Sequence, residues 1–279
     1  MNDQGVLYVV ATPIGNLNDI SDRTREVLDI VDFVAAEDTR VTAKLLNHLG
    51  IKKSLISCQK YNENERSEQI VKKINEGENV AFCSDAGTPV ISDPGGTLVS
   101  RALDEGIKVI PICGPSAVVA ALSVCGIRCE RFCFEGFLPT AKGGRKDRIN
   151  ELLREKRTMV FYEAPHKLQR TLHDLLEAFG DRQITICREM TKMHEEINRT
   201  TLSEAADYYD INPPRGEFVL VVSGYTEDIK GEFTFEEAVE LANQYKEQGY
   251  SVSEASKMAS KETGYPKSDI YRIVGGNKR

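Results

Sequence analysis

Both glycine signatures that cradle a polyphosphate are missing from the chain. It has no Gly-x-Gly-x-x-Gly and no Gly-x-x-x-x-Gly-Lys-[Ser/Thr]. Any nucleotide site is therefore expected to take a nucleoside-like ligand without a polyphosphate. No apolar run reaches the roughly 18 residues that a membrane helix needs, and mean hydropathy is −0.35. No membrane partner is expected. The first residues, Met1 to Gly5, hold no basic stretch, which predicts no signal peptide. Cys-x-x-Cys is absent although the chain has seven cysteines, and no histidine flanks the evenly spaced Cys125, Cys129 and Cys133. Reduced thiols in a cytoplasmic protein, with no metal site, are the expectation. Positive charge is not in excess: the formal net charge is −7 and the pI about 5.4. That argues against wholesale non-specific binding to nucleic acid. Repeats and low-complexity tracts are lacking too.

Two short loops stand out among what is present. Ala11-Thr12-Pro13-Ile14-Gly15-Asn16 follows the apolar run Val6 to Val10, and Ser84-Asp85-Ala86-Gly87-Thr88-Pro89 follows Val80 to Cys83. Each apolar run reads as a buried strand. A strand that ends in a Gly/Pro loop presents backbone at the carboxyl edge of its sheet, where α/β folds bind ligands. Two such loops predict one pocket with two walls.

The first 115 residues alternate strand and helix patterns. Strands are expected at 6–11, 33–36, 54–57, 79–83 and 108–112, with helices near 23–30, 39–49, 65–76 and 96–105. This alternation predicts a mostly parallel sheet covered on both faces. Residues 116–125 are apolar nearly all round and read as a buried helix capped by Ser116. A second α/β domain follows, with strands at 132–134, 158–162, 183–187 and 218–223 and helices at 166–179 and 203–209. The domains are therefore expected at 1–115, 116–228 and 229–279. The last is a helical tail: 235–248 reads as a helix. Ser253 and Ser268 are placed to cap two more around Gly264-Tyr265-Pro266, at helix-turn-helix spacing.

Residues 141–157 carry seven basic side chains against three acidic ones in an otherwise acidic chain. Lys142, Arg145, Lys146 and Arg148 are candidate RNA-phosphate contacts, with Gly143-Gly144 read as a flexible loop. A solvated helix face laced with i, i+4 pairs is the competing explanation. The tail from Lys230 onward balances its charges, so it reads equally as an RNA-docking module or as a helical cap or dimer contact.

An ordered set of motifs now identifies a resemblance. These are Ala11-Thr12-Pro13-Ile14-Gly15-Asn16-Leu17, Ala36-Glu37-Asp38-Thr39-Arg40, Asn62-Glu63 and Ser84 to Pro89 with Ser92-Asp93-Pro94-Gly95. Gly114-Pro115-Ser116-Ala117, Gly136-Phe137-Leu138-Pro139, Tyr162-Glu163, and Arg188 to Lys192 with His194-Glu195 complete it. Together they resemble the small-subunit rRNA (cytidine-2′-O) methyltransferase I family, a branch of the tetrapyrrole-methylase-like enzymes. Three positions depart from the pattern: Cys113 for a proline, Lys167 for an arginine, and Ala141, with Lys142 one place later, for a lysine.

The resemblance implies two α/β domains with a cofactor cleft between them, and S-adenosylmethionine as cofactor. It also implies a cytidine of 16S rRNA within the 30S subunit as substrate, and a homodimer. Small Gly15, Ala86 and Gly87 suit close backbone approach to the cofactor, and Pro13 and Pro89 stiffen the loops. Asp85 is a natural carboxylate for a ribose hydroxyl or an ammonium. Ser84, Val90, Ser116, Ala117, Tyr162 and Met190 complete the expected cofactor contacts. A ribose hydroxyl is a weak acid, so a carboxylate base is sought. Glu37, Asp38 and Glu63 are candidates, as are Glu163 and the Lys192/His194/Glu195 cluster, with Arg40 placed for a phosphate. Asp38 reads equally as the cap of the helix starting at Thr39. A tetrapyrrole or protein methylase of the same fold, and a non-enzymatic RNA adapter, are the competing functions. The former carry a Gly-x-Gly-Pro-Gly-like first loop where this chain has Thr12 to Asn16.

Overall fold

The computed structural model describes residues 4–226 and 233–275. The ends of the expected tail, 229–232 and 276–279, lie outside the described residues. The first unit runs to Tyr225 and contains two five-stranded sheets.

The first sheet holds β1 (Val6–Val10), β2 (Phe33–Ala36), β3 (Ser54–Ser57), β4 (Val80–Cys83) and β5 (Lys108–Ile112). All pairs are parallel, in the order β3-β2-β4-β1-β5. Central β2 and β4 are buried at every residue, as continuous apolar runs in a two-sided sheet must be. Helices α1 (Asp22–Ile30) and α2 (Thr39–Leu49) send Leu28, Leu45 and Leu46 onto one face, against Val10, Val34 and Cys83. Helices α3 (Glu63–Asn75) and α4 (Gly96–Asp104) send Ile70, Ile74 and Leu98 onto the other, against Leu7, Phe33 and Phe82. The chain thus leaves the neighbouring strands β1 and β4 toward opposite faces. A crevice opens between their carboxyl ends, the topological position where such sheets take ligands. Its two loops are stitched together: Thr12 N–H donates to Gly87 O (2.8 Å) and Gly87 N–H to Thr12 O (3.0 Å).

Helix α5 (Ala117–Val124) leads into the second sheet, which holds β6 (Phe132–Phe137), β7 (Thr158–Glu163), β8 (Gln183–Arg188), β9 (Glu196–Thr201) and β10 (Phe218–Val222). The order is β6-β7-β10-β8-β9, with β6 and β7 parallel and the rest antiparallel. Strand β9 has no counterpart among the strands expected from the sequence. Helices α6 (Lys142–Glu151), α7 (Pro165–Phe179) and α8 (Leu202–Ile211) cover one face through Ile149, Leu168, Leu172 and Ala205. Helix α5 covers the other through Val118, Ala121 and Leu122. Expected to be buried all round, α5 instead leaves Val119 and Val124 exposed, because a single sheet face can bury only one stripe of a helix.

Among its described residues the second unit, from Thr226, holds three helices, α9 (Phe235–Glu247), α10 (Val252–Thr263) and α11 (Lys267–Val274). Ala238, Ala242, Ala259, Ile270 and Val274 form its core. Gly264 ends α10 in the left-handed conformation (φ +74°), as the expected turn requires. The caps differ from expectation. Ser251, not Ser253, caps α10 through a reciprocal box with Glu254. Pro266 precedes α11, which leaves Ser268 inside the helix.

Candidate active site

A cavity of about 350 Å³ lies in the crevice between the two sheets, within the size range of small-ligand pockets. The loops after β1, β4 and β5 build one wall, with Ile14, Ala86, Gly87, Thr88, Asp93, Ser116 and Ala117. The second sheet builds the other with Phe137, Tyr162, Glu163, Cys187, Met190 and Val219. Of the expected cofactor contacts, Ala86, Gly87, Ser116, Ala117, Tyr162 and Met190 therefore come together. Burial and the nearby Asp93 charge push the Tyr162 phenol up to about 12, so it stays protonated.

Pro13, Gly15, Ser84, Asp85, Pro89 and Val90 do not line the cavity. Gly15 instead lets the first loop press on the second sheet: a Cβ there would lie 2.5 Å from Lys192 Cγ and 2.8 Å from Thr191 Oγ1. Ser84 is buried beneath the loop, and its carbonyl accepts from the Thr12 hydroxyl. Asp85 turns sideways toward β2, where its Oδ1 accepts Asp38 N–H (3.0 Å). Val90 and Ser92 hold φ of +75° and +68°, a costly conformation for non-glycine residues. That turn carries Asp93, which sequence reasoning left out of the site, to the cavity wall.

The carboxylates of this edge differ sharply in environment. Glu37 Oε2 accepts Asp85 N–H (3.2 Å), which reciprocates the Asp85–Asp38 bond. Burial raises the Glu37 carboxyl; the Asp85 amide opposes this, and the charges of Asp85, Asp93 and Asp38 add to it. Asp93 is raised too, first by burial and then by the Asp85 charge, against a hydrogen bond from Ser84. Asp38 goes the other way, down to about 2, through side-chain and backbone hydrogen bonds from Arg40. It caps α2 through Arg40 N–H (2.8 Å), the alternative role expected for it. Held so far below neutrality, it is a weak base. Arg40 lies 86% exposed beside it.

Two of the expected site residues are engaged in packing instead of facing the cavity or solvent. Glu63, a candidate base, caps α4: its Oε1 accepts Gly95 N–H (3.0 Å) and Thr97 N–H (2.8 Å). Gly95 has no side chain to do this. It must be glycine, because a Cβ would lie 2.2 Å from the Phe82 ring and its φ is +116°. Arg145, a candidate phosphate contact, is buried with a side chain only 4% exposed. Its guanidinium donates to Asp174 Oδ2 (2.5 Å) and Thr171 Oγ1 (2.7 Å), and the Thr171 hydroxyl donates to Glu163 Oε2 (2.5 Å). This chain of bonds holds Glu163 at the cavity wall. Residues 142–151 are helical, not a flexible Gly143-Gly144 loop. Arg148 is bound to Glu135 and Glu151 (2.5 Å each). Lys142 and Lys146 remain exposed on the same helix.

Residues 6–206 match the family described as Tetrapyrrole (Corrin/Porphyrin) Methylases. The chain is 43% identical over 270 residues to the ribosomal RNA small subunit methyltransferase I of Synechocystis sp., spanning 96% of this chain and 97% of that protein. It is 44% identical over 275 residues to the protein of that name from Halalkalibacterium halodurans, spanning 98% and 95%. Among solved structures, the methyltransferase CobJ shares the fold at a TM-score of 0.61 and 18% identity, covering 79% of this chain and 94% of that one. A uroporphyrin-III C-methyltransferase of Thermus thermophilus complexed with S-adenyl homocysteine superposes at a TM-score of 0.58 and 17% identity, covering 78% and 97%.

Proposed function

Because the chain belongs to the ribosomal RNA small subunit methyltransferase I family, within the tetrapyrrole methylases, we propose that it moves a methyl group from S-adenosylmethionine to the ribose 2′-hydroxyl of a cytidine in the decoding region of 16S rRNA. The near full-length likeness to relatives of that name carries this reading, and the crevice cavity supports it. Assembled 30S subunits as the working substrate, a homodimer and a cytoplasmic location belong to the same proposal. So does a working division into parts 1–115, 116–228 and 229–279.

The cavity residues fit the cofactor. Ala86, Gly87 and Ala117 bare the backbone for close approach, and Met190, Cys187 and Val219 offer an apolar bed for a ring. When bound, the cofactor supplies an electrophilic methyl group on a sulfonium. The protein's own task is to place the ribose hydroxyl in line with that methyl, exclude water and take the hydroxyl proton. Asp93 is the proposed proton acceptor, since it lines the cavity and its raised carboxyl is a stronger base than an ordinary aspartate. Glu37 stands in the same field as a positioning group for Asp85, whose N–H it accepts.

Asp93→Asn separates activity from stability. Turnover should fall about 100-fold or more, as loss of a general base does. Cofactor affinity should change much less. The Asp93 carboxyl is raised on folding, so its ionisation opposes folding. That penalty is absent below the unfolded-state pKa and complete once pH exceeds the folded value. The Asn variant should therefore melt higher than wild type at pH 7, with the gap closing toward pH 4. Thermal melts across that range check it; a variant that melts lower at pH 7 while keeping wild-type turnover would contradict the assignment.

The function itself is tested by mapping ribose methylations on 16S rRNA from cells with and without the protein. Loss of one decoding-region cytidine 2′-O-methyl is expected. An unchanged map would refute the proposal.

A further inference from the structure

Strand β6 carries a feature that the methyl-transfer chemistry does not use. Phe134 and Phe137 are three residues apart, so in a regular strand they would point to opposite faces. Both nevertheless pack edge-on against Tyr162, with ring centroids 4.9 and 5.6 Å away. The cause is a register shift between Phe134, opposite Val160, and Gly136, opposite Phe161. One extra residue, Glu135, is inserted, and the face of every following residue is reversed. Gly136 permits it with φ +61°, and it abuts the loop that carries Asp93: a Cβ there would lie 2.9 Å from Ser92 Oγ. The outcome is an aromatic ring that lines the cavity yet is 52% exposed. Cys187, Phe218 and Val219 line the same cavity from buried positions. Phe137 therefore stands at the mouth, and α6 with its exposed Lys142 and Lys146 begins just beyond it.

We propose that Phe137, re-aimed by the bulge, is a stacking platform for the base of the acceptor nucleotide, resting on the proposed methyl transfer to rRNA. On that reading the cofactor takes the buried end. A nucleotide that remains part of a long RNA can offer its base only at the mouth, with its neighbouring phosphates toward Lys142 and Lys146. Any base has a π-face, so stacking on an aromatic side chain does not depend on which base is presented.

The test compares full-length Phe137→Leu, Phe137→Ala and Phe137→Tyr with wild type. It measures S-adenosylmethionine affinity by calorimetry and steady-state methylation of 30S subunits that lack the modification. Leu and Ala should raise KM for the subunits about tenfold, leave kcat and cofactor affinity within about twofold, and Tyr should restore KM. A Phe137→Leu enzyme with wild-type KM shows that only apolar bulk matters and overturns the platform. Lost cofactor affinity with unchanged KM makes Phe137 a cofactor lid and also overturns it. A wild-type protein that methylates no subunit overturns the functional reading together with the platform, whereas active wild type with unaffected variants overturns the platform alone.

Discussion

A Gly87→Val protein is expected to fold and to bind S-adenosylmethionine about a hundredfold more weakly than wild type. Gly87 lines the cavity and holds φ +79° while its N–H and carbonyl both bond Thr12. A β-branched residue there costs about 1–2 kcal/mol of backbone strain. Its side chain would also press on Ile14, whose Cγ2 lies 3.4 Å from the position of a Cβ, and intrude on the small-residue wall. The backbone strain is borne by free and bound protein alike and lowers stability; the side chain's intrusion into the cavity is what must cost the roughly 2.7 kcal/mol that corresponds to a hundredfold. Gly50→Val is the matched control. Gly50 has nearly the same φ, +73°, with nothing within 4 Å of a Cβ, at the far end of α2. It should cost similar stability and leave affinity untouched. Wild-type affinity in a folded Gly87→Val protein would remove the Ser84 to Pro89 loop from the cofactor site.

Arg145→Ala should destabilise the protein by about 3 kcal/mol. Removing one partner of a buried ion pair typically costs about 3–5 kcal/mol. Asp174 is partly solvated, which places the loss at the lower end. Thr171 Oγ1 would lose its donor, and Glu163 the support behind its hydroxyl partner. The double variant Lys142→Ala/Lys146→Ala should do the reverse. Its melting should stay within about 0.5 kcal/mol of wild type, as for ordinary surface changes. The log–log salt slope of RNA binding should shrink by roughly 0.7–0.9 for each phosphate that is no longer neutralised. Denaturant melts and salt titrations of the variants check both halves. A stable Arg145→Ala protein with a flattened salt slope would return Arg145 to the RNA surface.

That contrast shows where the sequence stops being legible. The four basic residues at 142–148 look alike as charges along a chain. Only the helix phase separates them: Arg145 and Ile149, one turn apart, share the buried stripe. The stripe Arg145, Ile149, Leu152 has helical spacing, but two adjacent glycines argue against a helix. The parallel sheet is readable because each strand is a short apolar run ending in a loop, whereas the strand order follows from nothing local. Strand β9 leaves no such mark, because an exposed edge strand needs no apolar run, and Glu196 to Thr201 is mostly polar. The capping role of Glu63 is hidden because its partners, Gly95 and Thr97, belong to another helix and its approach. Asp85 and Asp93 sit in similar Ser-Asp pairs. Which one faces the cavity depends on left-handed backbone at Val90 and Ser92, a conformation that no residue type there announces.

The central claim is methyl transfer to a ribose hydroxyl of small-subunit rRNA, carried out in the crevice cavity. Its most direct test supplies the purified protein with S-adenosylmethionine labelled in the methyl group and with 30S subunits that lack the modification. The rRNA is then digested to nucleosides and separated. A single labelled product, 2′-O-methylcytidine, is predicted, with far less of it from Gly87→Val at a cofactor concentration that does not saturate the variant. Label on a base, or no label in rRNA at all, would contradict it.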